Sequence, residues 1–196
     1  TGSEHKLLNI PGEEQFSGKG VSYCAVCDGA FFRNKEVIVI GGGDSAIEEA
    51  LYLSNLVSKV TIIHRRDELR AQKILRDRAF AKENIHFIWD SIPLEIKGER
   101  KVSSVEIRNV KTGEESSVSA DGIFIYVGML PQTEDFKTLG ITNEAGYIPT
   151  NEKLETKVAG IFAAGDVREK EIRQVITAAS DGAIAAQSAY NYVEGL

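Results

Sequence analysis

Glu36-Val-Ile-Val-Ile40-Gly41-Gly-Gly43-Asp44-Ser45-Ala46 joins an apolar run directly to a cluster of glycines. Val37 to Ile40 form an unbroken β-branched apolar run, the pattern of a strand covered on both faces, as in a parallel sheet. It leads directly into three glycines and then a helix from 44 to about 57, where Ile47, Ala50, Leu51 and Ser54 fall at helical spacing. Outward from there, Val60-Thr-Ile-Ile63 predicts a second strand, 68 to about 81 a second helix, and Ile85-His-Phe-Ile88 a third strand. A β-α-β-α-β run implies an α/β fold with a right-handed, doubly wound parallel sheet. Between 92 and 127 short alternating runs (102–110, 116–119) are separated by Lys97-Gly98-Glu99 and Thr112-Gly113-Glu114, which predicts an antiparallel meander ahead of a strand at 122–127. Gly128 to Thr133, with Pro131, reads as a hinge. Beyond it lie a short apolar strand, Gly160-Ile-Phe-Ala-Ala164, and a helix from about Gln174. The expected division is therefore 1–133 and 134–196.

Composition bounds the rest. The 196 residues suffice for one or two domains, and 42% hydrophobic with 27% charged residues is ordinary for a globular chain. No apolar run approaches the ~20 residues of a membrane helix, and the first residues lack the layout of a secretory signal. The net charge of −6 argues against non-specific nucleic-acid binding, and two cysteines are too few for a disulfide scaffold. A cytoplasmic protein, with neither a membrane nor a nucleic acid as partner, is expected.

Gly41-x-Gly43-x-x-Ala46 stands where a dinucleotide fingerprint must stand, after a strand and opening a helix. Gly41 permits the tight turn, Gly43 the approach of pyrophosphate, and Ala46 close helix–strand packing, with Asp44 and Ser45 in the helix's first turn. A glycine turn kept only for packing is the alternative. The end of the second strand selects the nucleotide. NAD sites place an acid there, whereas this strand ends in His64-Arg65-Arg66, with Arg70 one turn on. Guanidinium forks bind a 2′-phosphate bidentately, so NADP(H) is expected over NAD(H), with a solvated basic turn as the alternative.

Cys24-Ala25-Val26-Cys27 is followed by Asp28-Gly29. The spacing permits a disulfide and a lowered thiol pKa, and beside a β-α-β unit it points to redox chemistry. Asp28 is placed to carry protons during exchange, although Asp-Gly is also a common turn pair. A closed zinc site takes four ligands, and the chain offers no further cysteine and no histidine pair at short spacing; no metal is expected.

Gly160-Ile-Phe-Ala-Ala-Gly165-Asp166 resembles the C-terminal flavin fingerprint of the two-dinucleotide-domain flavoprotein reductases. In that family the aspartate, here Asp166, hydrogen-bonds the ribityl chain of FAD. The segment matching Arg173-Gln174-Val175 begins a helix close to the flavin. Taken together, Cys-x-x-Cys-Asp-Gly, Gly-Gly-Gly-Asp-Ser-Ala, His-Arg-Arg-Asp-Glu-Leu-Arg-Ala and Gly-Asp-Val resemble the low-molecular-weight, bacterial-type thioredoxin reductase family over essentially the whole chain. The related hydroperoxide-reductase flavoproteins usually carry Pro-His between the cysteines, where Ala25-Val26 stand here; fungal dithiol oxidases form a further branch.

The resemblance implies a homodimeric enzyme that passes electrons from NADPH through FAD and a Cys24–Cys27 disulfide to thioredoxin. It also implies that 1–133 is the NADPH domain carrying the disulfide and 134–196 the C-terminal part of an FAD domain. Disulfide and nicotinamide would alternate at the flavin by rotation about hinges near 2–6 and 129–134. Phe31 and Phe32 are either core or an apolar contact for the protein substrate. The N-terminal FAD fingerprint of the family has no counterpart here, because Gly18-Lys-Gly20 has no strand before it and a bulky residue follows. The 196 residues therefore resemble the C-terminal portion of a longer enzyme, inactive alone, and an isolated NADPH-binding module without flavin is the competing class. Replacing both Arg65 and Arg66 by Ala is expected to weaken NADP(H) selectively in a binding titration; equal weakening of NAD(H) would contradict the assignment.

Overall fold

In the computed structural model, which describes residues 1–195, the chain forms two compact units: His5–Gly128, and Thr1–Glu4 together with the residues from Met129 onward. The division between these compact units lies after Gly128, and residues 1–4 belong with the C-terminal unit. The reason is a strand pair: β1 (Ser3–His5) hydrogen-bonds β10 (Met129–Pro131), and the Gln132 N–H donates to the Gly2 carbonyl at 2.8 Å.

The larger unit contains β2 (Val21–Ser22), the short α1 (Ala25–Asp28), β3 (Glu36–Ile40), α2 (Asp44–Ser54), β4 (Lys59–Ile63), α3 (Lys73–Phe80) and β5 (Ile85–Ile88). The meander β6 (Ser91–Gly98), β7 (Val102–Asn109) and β8 (Glu115–Ser119) then leads to β9 (Gly122–Ile125). Strands β2, β9, β3, β4 and β5 lie in that order in one parallel sheet, while β6 to β8 form a separate antiparallel sheet. Successive side chains of a strand point to opposite faces. Val37 and Val39 accordingly join Ile47, Leu51, Leu53 and Leu75 of the helices, whereas Ile38 and Ile40 join Ile96, Val105 and Ile107 of the meander. Both faces of β3 are sealed, one by helices and the other by the second sheet. That is why its apolar run shows no alternation.

Since β4 and β5 extend the sheet on one side of β3 and β9 returns on the other, the end of β3 is a topological switch point, where open α/β sheets bind ligands.

Two expected elements differ. The second helix starts at Lys73, not at 68. The amides of Arg70 and Ala71 donate instead to the Gly42 carbonyl (2.7 and 3.2 Å), and that of Gln72 to Asp44 Oδ1 (2.7 Å). Gly160 to Ala164 forms no strand ladder; its pairing is a single bridge between Glu155 and Phe162.

In the C-terminal unit, α4 (Val175–Glu194) begins with a capping box between Gln174 and Thr177. Asp181 on this helix is buried and gathers three donors: the Gly165 N–H at 2.9 Å, Arg168 Nη1 at 2.8 Å and Lys170 Nζ at 2.9 Å. Burial pushes its pKa up, but Lys170, Arg168 and the Gly165 amide prevail and hold the carboxyl below its ordinary value. Such a group adds stability above its unfolded pKa and loses it as pH falls through the folded one. Asp181→Asn leaves two largely buried cations without their counter-charge, and is expected to cost about 3–5 kcal/mol at pH 7 in denaturant unfolding. The deficit should shrink on titration below about pH 4; a deficit that grows in acid would contradict this role.

Candidate functional site

The glycine turn is shaped by crowding. Gly41 has φ +148°, and a Cβ there would run into the Tyr126 carbonyl oxygen and come within 2.9 Å of the Ala46 methyl. A Cβ on Gly42 would strike the His64 ring, whereas one on Gly43 would meet nothing within 4 Å. The first two glycines are therefore required by the protein's own packing. Gly43, which precedes α2 as its N-cap, leaves open the space a ligand phosphate needs.

The loop that replaces the first turns of the expected helix folds back over this turn. Through the Gly42 carbonyl it fixes Arg70, and through Asp44 it fixes Gln72, whose side-chain amide also donates to Asp44 Oδ2 at 3.1 Å. Both Asp44 oxygens are thus engaged on Gln72, which makes Asp44 the latch between glycine turn and basic loop. Ser45, Arg65, Arg66 and Arg70 are exposed. A cavity of about 440 Å³, within the usual range for small-molecule sites, opens here, lined among others by Gly41, Gly42, His64, Arg65, Arg70 and Tyr126.

His64 differs from its neighbours. It is buried edge-on to Trp89, and its Nε2 has no hydrogen-bond partner among the described residues. Burial first, then Arg70, Arg66 and Arg65, hold its pKa below the ordinary histidine value, so the ring is neutral at pH 7.

Cys24 and Cys27 are joined in a disulfide, with Cα atoms 5.3 Å apart. Cys24 is the N-cap of α1 and its sulfur accepts from the Cys27 N–H at 3.1 Å; Cys27 is exposed. The Asp28 carboxylate accepts from Ser22 Oγ at 2.6 Å, and that oxygen in turn accepts from the Cys24 N–H at 3.1 Å. Phe31 is 74% exposed, and Val26 between the cysteines is exposed as well. Phe32 instead packs edge-on against Phe124 in the core. Phe32 thus takes the core reading, whereas Phe31 stays exposed.

One residue missed by motif reading connects the two groups. The Tyr126 hydroxyl accepts from the Ala25 N–H at 2.7 Å, while the residue is among those that line the cavity and its backbone abuts Gly41. Burial, then the nearby carboxylate of Glu49, pushes the phenol's pKa up, so it stays protonated. No spacing rule reports this contact, because Tyr126 is 102 residues from Cys24 and reaches it only when β9 pairs with β3.

In the C-terminal unit Gly165 adopts φ +81° and Asp166 follows in a single helical turn, with its Oδ1 buried and unpartnered among the described residues. The Asp181 contact with the Gly165 amide fixes that turn. Arg173 lies over the Tyr147 ring, 4.4 Å from its centroid, with a buried, unpartnered Nε. Gln174 caps α4, and Val175 is 88% exposed. Among the described residues no group of three His, Cys, Asp or Glu side chains is arranged to hold a metal ion, and no helix is long and apolar enough to cross a membrane.

Known proteins match this arrangement throughout. The thioredoxin reductase of Bacillus subtilis is 59% identical over 196 residues, covering all of this chain and 62% of the relative; that of Treponema pallidum is 51% identical, with 64% of the relative covered. The chain thus spans less than two thirds of the length of these curated relatives. The crystal structure of thioredoxin reductase from Streptococcus pyogenes superimposes with a TM-score of 0.94 at 55% identity, covering all of this chain and 64% of that one. The family model of the pyridine nucleotide-disulphide oxidoreductases matches residues 1–182. With the α/β sheet, the glycine turn and the disulfide in place, the chain belongs to the pyridine nucleotide-disulphide oxidoreductase family.

Proposed function

We propose that the protein acts as an NADPH-dependent disulfide reductase of the thioredoxin reductase type, working in the cytoplasm as a homodimer with thioredoxin as its protein substrate. The observation that carries this reading is the Cys24–Cys27 disulfide in the same unit as a glycine turn and a loop with three exposed arginines, of which Arg65 and Arg70 line one cavity with Gly41 and Gly42. The resemblance of the relatives agrees with it. In this reading His5–Gly128 is the NADPH domain and the residues from Met129 onward belong to the FAD domain.

Arg65, Arg66 and Arg70 bind the 2′-phosphate, and the open space at Gly43 admits the pyrophosphate. Asp44 holds the basic loop in register with the glycine turn. The buried, unpartnered Asp166 oxygen is an acceptor suited to a hydroxyl of the FAD ribityl chain, and the buried Arg173 Nε is a donor of the same kind. Bound there, FAD supplies the chemistry that turns a hydride from NADPH into the electron pair for a disulfide.

The chain's own residues perform the exchange. The Cys24–Cys27 bond accepts two electrons and two protons and becomes a dithiol. One thiolate then attacks a sulfur of the thioredoxin disulfide, forming a mixed disulfide and releasing thioredoxin's other thiolate. The second cysteine attacks the mixed disulfide, restores the Cys24–Cys27 bond and frees thioredoxin as a dithiol. Asp28, held by Ser22 next to Cys27, moves the protons, and Phe31 with Val26 gives the partner an apolar surface beside the exposed sulfur.

The chain reduced with dithiothreitol and desalted is expected to reduce about one equivalent of oxidised thioredoxin, followed by thiol alkylation and mass spectrometry. Asp28→Asn should slow this by about a hundredfold, and Phe31→Ala should slow it while leaving exchange with a small aromatic disulfide unchanged. A dithiol that reduces the small disulfide but not thioredoxin would contradict the assigned substrate.

A further inference from the structure

Lys111 belongs to none of the sequence motifs. It follows β7, on the turn towards β8, yet its Nζ lies 2.8 Å from Asp67 Oδ2 and 3.0 Å from Asp90 Oδ2. Asp67 directly follows Arg66 on the basic loop. The Asp90 N–H donates to the Arg66 carbonyl at 3.1 Å, and the Val110 N–H donates to the Asp90 carbonyl at 2.6 Å. One lysine of the meander therefore ties together the loop that carries the arginines, the turn after β5 and its own hairpin.

The loop from 64 to 70 carries Arg65, Arg66 and Arg70, but also the acids Asp67 and Glu68. Among the described residues no salt bridge joins any of these three arginines to an acid, while Asp67 is paired with Lys111. On the NADPH reading of this cleft, we propose that Lys111 is a specificity-determining residue for nucleotides with a 2′-phosphate. It holds the Asp67 carboxylate on the meander and neutralises it, so that the guanidinium forks stay unpaired for the phosphate.

Two consequences follow from the charges. Without Lys111, Asp67 is released to pair with a neighbouring guanidinium and to repel an incoming dianion. The effect depends on salt, because all of these groups except Asp90 are well exposed. An exposed ion pair adds little to stability, so the effect belongs to binding rather than folding.

The test uses this chain with adenosine 2′,5′-bisphosphate and adenosine 5′-monophosphate as calorimetric probes at low ionic strength. Lys111→Ala is expected to weaken the bisphosphate about 5-fold, the size of a strong surface pair, and to leave the monophosphate unchanged. Lys111→Arg should retain the wild-type affinity, and adding Asp67→Asn to Lys111→Ala should restore it, with thermal melts confirming that every variant is folded. Equal weakening of both probes would overturn the inference, as would a double variant no better than Lys111→Ala. A wild-type chain that binds the two probes equally overturns the nucleotide reading along with it. Selectivity that survives Lys111→Ala unchanged overturns the Lys111 role alone.

Discussion

The carbonyl of Gly42 receives the amides of both Arg70 and Ala71, and much of the cleft beside the glycine turn depends on that pair of hydrogen bonds. They stop the chain after β4 from entering a helix at once and turn it back over the end of β3. Arg65, Arg66 and Arg70 then stand on a loop facing the glycine turn. The bonds form only because Gly41 and Gly42 carry no side chain: the Tyr126 carbonyl on one side and the His64 ring on the other leave no room for one. Asp44, through Gln72, adds a second latch two residues along. The positions of the glycine turn and the basic loop are thereby fixed relative to each other by backbone hydrogen bonds, the kind of preorganisation that would lower the entropic cost of binding under the proposed reading.

The same unit holds a second chemistry. The disulfide helix α1 is tied to the cleft by Tyr126, whose hydroxyl takes the Ala25 amide and whose backbone continues the sheet through the Ile40 carbonyl at 2.8 Å. Ser22 at the sheet's edge bridges Asp28 and the Cys24 amide. Disulfide and glycine turn are thus both anchored to the parallel sheet, one at its β2 edge and the other at its switch point. In the C-terminal unit, Asp181 plays a comparable part for the Gly165-Asp166 turn, with two cations completing a buried cluster.

Most of the architecture was legible because it rests on local patterns. The β-branched run at 37–40, the glycines after it and the helical spacing from Ile47 onward each have a short-range physical cause. The meander was legible from its turn glycines, though not its duty of covering the second face of the parallel sheet. The helix expected at 68 was misplaced because its first amides find tertiary acceptors, and periodicity cannot detect a carbonyl 28 residues away. Gly160 to Ala164 has strand composition but no neighbouring strand that completes a ladder. In the candidate site, the cysteines, glycines and arginines carry type and spacing signals. Tyr126, Ser22, Glu49 and Lys111 carry none, since each acts through contacts that exist only after the sheet has formed.

In the proposed reading the β3 glycine turn and the basic loop after β4 form one binding surface for a 2′-phosphorylated dinucleotide. Titrating the ¹⁵N-labelled chain with NADP⁺ and, separately, with NAD⁺ tests it most directly by amide chemical shifts. NADP⁺ is expected to shift Gly41, Gly42, Gly43, Arg65, Arg66 and Arg70 together along one binding curve, and NAD⁺ to move the glycines only at higher concentration and leave the arginines nearly still. Shifts centred elsewhere, or the same curve for both nucleotides, would contradict it.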